Sequence, residues 1–164
     1  SQVRSGDKAG ALRTLGLTDP EFETLVQLGR WDEAWAKAQA ILARGDQPYG
    51  SDLGGFKRRL VSGMLDQGET RLAFRTALSI PDPHLDDREK ALLGVVRHAT
   101  AAGDIATAII AANRIREADA RNADDRSEAL QMIVEAQVRA GALADAEALL
   151  DQDGLTVSSL RPRL

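Results

Sequence analysis

Apolar residues recur along this chain at helical steps, and glycines interrupt them. Over 105–115 the stripe is Ile105, Ala108, Ile109, Ala112 and Ile115, a three- and four-residue spacing that gathers one apolar face on an α-helix. Comparable stripes predict an all-α chain of about nine helices, near 7–15, 20–28, 31–43, 53–67, 70–79, 86–102, 104–118, 124–140 and 143–151. Helix starts are marked by Thr18-Asp19-Pro20-Glu21, Asp86-Asp87-Arg88-Glu89 and Asp125-Arg126-Ser127-Glu128. These runs hold capping side chains and acids that suit the positive end of a helix, and the first also has Pro20 at a first helical position. Gly, Pro, Asp and Asn gather at 44–52, 80–85 and 119–123, which read as loops.

The breaks are themselves periodic. Gly6, Gly29, Gly68, Gly103 and Gly141 are each followed five residues later by alanine: Ala11, Ala34, Ala73, Ala108 and Ala146. Nine residues after each glycine stands Leu15, Ala38, Ala77, Ala112 or Leu150. The glycines are 23, 39, 35 and 38 residues apart, with a mean close to the length of a helix–turn–helix repeat, though the first spacing is too short for a full one. Glycine ends a helix by accepting the left-handed conformation, and a small residue on the next helix lets the two backbones approach. The opening Gln2-Val3-Arg4 recurs at Gln137-Val138-Arg139, so the chain reads as beginning inside a repeat. Residues 1–154 are expected to form the helical array and 155–164 a tail, the whole resembling a segment of a longer array whose end caps lie elsewhere.

Composition narrows the class. Alanine is the commonest residue, with 27 copies, while aromatics make up 4%. All six aromatics (Phe22, Trp31, Trp35, Tyr49, Phe56 and Phe74) precede residue 75. A net charge of −4 is a poor match to nucleic acid, which demands a basic footprint. No apolar run is long enough to span a membrane. The chain has no cysteine, which removes disulfides and thiolate metal sites but leaves bacterial cytoplasm and periplasm equally open. Arginine outnumbers lysine 17 to 4, as in GC-rich bacterial genomes.

The Gly–Ala–small spacing, seen in Gly68-Ala73-Ala77 and Gly103-Ala108-Ala112, and the run "ATAAGDIATAIIAANRI" at 99–115 resemble tetratricopeptide-like (TPR-like) repeats of the degenerate, Ala-rich bacterial kind. The resemblance covers nearly the whole chain. It departs from the family where the large aromatic of the first helix is missing from the last two repeats, and where proline after the second helix is confined to Pro81 and Pro83. The resemblance implies a right-handed α-solenoid of antiparallel helix pairs. Its groove would be lined by the first helix of each pair, here at Arg58, Ser62, Lys90, Arg97, Glu128, Gln131 and Glu135. That groove would be basic in the middle and acidic toward the C-terminus. The family's carboxylate clamp needs asparagine six residues before the glycine. Ser62, Arg97 and Glu135 stand there, so no clamp is expected.

Candidate chemistry is sparse. His84 with Asp86 and Asp87 matches no familiar ligand spacing and reads as a polar loop with helix-capping acids. His98 falls where a helix is half exposed. Ser62 lacks a nucleophile elbow, and the chain has no phosphate-binding glycine motif. Gly54-Gly55 before Phe56-Lys57-Arg58-Arg59 reads as a loop-to-helix junction. Trp31 and Trp35 share a helix face and read first as a core stripe, second as an aromatic anchor for a partner. The expectation is a non-catalytic scaffold, without cofactor or metal, binding a protein or peptide on its concave face. The alternatives are a structural helical domain of a larger bacterial enzyme, such as a cell-wall lytic transglycosylase, or a scaffold that self-assembles head to tail through its ends.

Overall fold

The computed structural model describes residues 19–45, 52–115 and 123–152. Within them the chain is all-helical: α1 (Pro20–Gln27), α2 (Trp31–Arg44), α3 (Leu53–Asp66), α4 (Thr70–Leu78), a 3-10 turn (Asp82–His84), α5 (Leu85–Ala101), α6 (Ile105–Ala112), α7 (Ala123–Arg139) and α8 (Leu143–Gln152). The expected helix at 7–15, the turn at Gly6 and the tail at 155–164 lie outside the described residues. Asp19 caps α1 as its sequence predicts, its Oδ1 accepting from the N–H groups of Glu21 and Phe22, with Pro20 in the first turn.

One turn recurs at Gly29, Gly68, Gly103 and Gly141, each with φ between 71° and 78°. In each, the glycine N–H bonds back three residues and the next N–H bonds back five. At Gly103 these are Gly103 N to Thr100 O at 3.2 Å and Asp104 N to Ala99 O at 2.9 Å; at Gly68 they are Gly68 N to Leu65 O and Glu69 N to Met64 O. This double closure satisfies the carbonyls a helix leaves open at its end, and its left-handed residue suits glycine. The small residues after the turn fall on buried positions. Ala34, Ala73 and Ala108 are 0% exposed and Ala146 3%, while Ala38, Ala77, Ala112 and Leu150 are buried one helical turn further on.

The helix expected over 104–118 is shorter in the structure. It ends at Ala112, and Ile115 is buried just beyond it. The backbone closes with three-residue bonds, Arg114 N to Ala111 O at 3.1 Å and Ile115 N to Ala112 O at 3.0 Å, and Arg126 of α7 meets this end, its Nη1 donating to the carbonyl oxygens of Ala112 and Ile115 at 3.3 and 3.2 Å.

The chain divides into two compact units, residues 1–88 and 89–164. In the first, Phe22 of α1 and Phe56 of α3 meet edge to face, with ring centroids 4.9 Å apart, among Val26, Leu60, Val61 and Met64. Gly63 lets Val26 and Trp31 press against α3, where a Cβ would overlap Val26. Arg59 grips the buried Glu23 through two nitrogens, at 2.8 and 2.7 Å, tying α3 to α1. In the second unit the core is aliphatic and Ala-rich: Leu92, Val95, Val96, Ala99, Ala129, Leu130, Ile133 and Val134, with Ala146 and Leu150 of α8 against Val134.

Candidate interaction groove, charged face and polar cluster

Ala34 and Ala38 occupy the buried stripe of α2. Trp35 lies one residue from Ala34 and three from Ala38, and Trp31 three residues from Ala34 and seven, about two full turns, from Ala38. Both tryptophans are half-buried. The core-stripe reading of the pair thus gives way to a mixed one, with one side of each ring packed and the other available.

The available sides line a groove of about 660 Å³ between α2, α3 and α4. Leu60 and Met64 are the buried residues of its α3 wall, and Leu72, Thr76 and Ser79 come from the α4 side. Lys57 lies 5.0 Å from the centroid of the Trp35 ring, and its Nζ donates to Ser79 O at 3.0 Å and Ser79 Oγ at 2.9 Å. Burial holds the Lys57 ammonium below the usual lysine value. The volume is typical of ligand-binding clefts, and the lining combines aromatic and aliphatic surface with a few polar atoms.

The seven positions expected along the first helices reach solvent, but most are spoken for by neighbours. Arg58 Nη1 is 3.6 Å from Asp87 Oδ1. In the C-terminal unit Lys90 pairs with the buried Asp125 at 2.5 Å, Arg97 lies 3.6 Å from Glu128, and Gln131 donates to Glu135 at 2.9 Å. Ser62 is exposed on α3. Arg58, Lys90 and Arg97 each face an acid on the next first helix, so part of the expected charge gradient is spent on joining neighbouring helices.

A third constellation joins residues far apart in sequence. Asp52 before α3, His84 of the 3-10 turn and Asp87 of α5 bring one nitrogen and two oxygens within 4.8 Å of one another. Asp86, which the sequence grouped with His84, is not among them; Asp52 takes its place, and only the packing of three segments reveals it. Asp52 Oδ1 caps α3 by accepting from Gly55 N at 2.7 Å, while Oδ2 lies 3.5 Å from His84 Nδ1. Burial, then the Asp52 carboxylate, pushes Asp87 above the usual carboxylate range, with Arg58 and His84 opposing.

No protein-family model, curated protein or solved structure matches this chain.

Proposed function

We propose that the chain is a non-catalytic protein–protein interaction module of TPR-like architecture, a right-handed α-solenoid that binds a partner protein or peptide. The recurrence of one glycine turn followed by a buried alanine supports the repeat architecture, because stacked helix pairs require that close approach at every repeat. The observation that carries the binding reading is the groove, with two half-buried tryptophans on one helix over a buried Leu60–Met64 wall. Rigid aromatics in a partly desolvated cleft are the usual anchors of interfaces. Lys57, beside Trp35 and short of solvation, would receive a carboxylate or carbonyl of the partner.

The same groove holds a lysine and a serine in hydrogen-bond contact, but the surroundings favour binding over nucleophilic chemistry. Ser79 follows the last turn of α4, and its hydroxyl donates to Thr76 O at 2.6 Å. Helix C-termini present carbonyl oxygens, whereas an acyl-transfer site needs N–H donors for a developing oxyanion.

The charged residues of the first helices, Arg58, Ser62, Lys90, Arg97, Glu128, Gln131 and Glu135, form a second, weaker candidate surface that would tune encounter rate and register. A peptide-display selection on the immobilised chain tests both. Selected peptides are expected to shift tryptophan emission, since Trp31 and Trp35 are the chain's two tryptophans and both line the groove. Binding is expected to fail for Thr76→Lys, which fills the groove, and to weaken modestly when Arg58, Lys90 and Arg97 are reversed in charge. Peptides that bind Thr76→Lys equally well and leave the emission unchanged would defeat the groove reading.

A further inference from the structure

From the Asp52–His84–Asp87 constellation we infer a site for a divalent cation of the zinc class in the N-terminal unit, independent of the groove. The donor set is one imidazole nitrogen and two carboxylate oxygens, a mixed set that suits Zn²⁺ when three protein ligands leave a fourth position open to water. A tetrahedral ion with bonds of about 2.0–2.1 Å places its ligand atoms roughly 3.4 Å apart. His84 Nδ1 and Asp52 Oδ2 already stand 3.5 Å apart, and all three donors lie within 4.8 Å, so closing on an ion needs side-chain adjustment of about an ångström.

The outer partners fit the same use. Asp52 has one oxygen fixed by the Gly55 N–H, which leaves Oδ2 facing His84. Asp87 has Oδ1 beside Arg58, and its Oδ2 lies against Gly54. Such second contacts orient ligands and are commonly needed for tight binding. Gly54 supplies the space. A Cβ there would overlap Asp87 Oδ2 and come within 2.7 Å of His84 Cβ, so any larger residue would push two of the three ligands away. The cluster draws on three segments, and the first turn of α3 is cut back where they meet. Two acids brought together with one arginine at 3.6 Å leave a net negative charge that favours a bound cation.

The test is Zn²⁺ titration of the metal-stripped chain by calorimetry, with melting curves and histidine ring NMR on the same samples. Zn²⁺ is expected to bind once per chain, raise the melting temperature and move the His84 ring resonances while leaving those of His98, the only other histidine, in place. His84→Ala, Asp87→Asn and Gly54→Ala should each weaken binding at least ~10-fold, and His98→Ala should not. Asp87→Asn keeps the size of the side chain while removing its charge, and a melting curve without metal that matches the native chain's excludes misfolding as the explanation. No saturable binding, binding that survives His84→Ala, or a response centred on His98 would overturn the assignment.

Discussion

The two units share a spine and differ in filling. Both end a helix on the same left-handed glycine and bury alanine five residues later, at Ala34 and Ala73 in one and Ala108 and Ala146 in the other. Around that spine the N-terminal unit packs phenylalanines and keeps two tryptophans at the edge of its core. The C-terminal unit has no aromatic residue, and it buries the polar side chains of Glu89 at 0%, Asp125 at 4% and Gln137 at 6% exposure, where the N-terminal unit buries Glu23. The spine is shared and the filling differs: half-buried tryptophans line a groove in the N-terminal unit, and the C-terminal unit packs an aliphatic core.

The largest expected effect comes from the aromatic filling. Phe22→Ala should cost about 3–5 kcal/mol in denaturant unfolding, the range for truncating a buried ring. The double variant with Phe56→Ala should cost less than the two singles added, by about 0.5–1.5 kcal/mol, because the edge-to-face pair is counted twice. Strict additivity would show that the ring contact contributes nothing of its own.

Next come the buried acids that each unit pairs differently. Arg59→Ala strands Glu23, and Lys90→Ala strands Asp125; each should cost about 1.5–3 kcal/mol. Neutralising the stranded acid, by Glu23→Gln or Asp125→Asn in the same chain, should recover part of the loss. The spine itself should respond alike in both units, with Ala73→Leu and Ala108→Leu each destabilising by about 1–3 kcal/mol through overpacking. Gly68→Ala and Gly103→Ala should each cost about 1–2 kcal/mol, since both sit at φ near 78° with open space around the missing Cβ, so strain is the sole penalty. A marked difference between the units at these matched positions would break the shared-spine account.

The smallest effect is electrostatic. The Lys57 value is lowered in the folded chain, so the unfolded chain holds that proton to higher pH. Stability attributable to Lys57 therefore rises with pH as the pH climbs from the lowered folded value toward 10.5, and below that window its burial is a small penalty. Lys57→Met should flatten that rise in melting curves taken across the alkaline range.

Most of the helical order was legible in the sequence because it is written locally. Asp19-Pro20 and the turn glycines are backbone requirements that neighbours hardly alter. What was not legible depends on distance. The end of α6 is met by Arg126, eleven and fourteen residues beyond the carbonyls it binds, a contact no local pattern announces. The tryptophan pair was visible, but its groove depends on residues of α3 and α4, distant in sequence, that line it with the two rings. Asp52 is separated from His84 by 32 residues, and no spacing rule joins them before the helices pack. Among the charged positions expected along these helices, ion pairs between neighbouring helices engage Arg58, Lys90, Arg97 and Glu128 in a way no single-helix reading reveals.

The most direct test of the central claim is a hydrogen-exchange map of the intact chain with and without a selected partner peptide. The groove account predicts added protection over 31–35, 57–64 and 72–79, with the C-terminal unit unchanged. Protection confined to 90–135 would contradict it and move the binding surface to the charged face of the first helices.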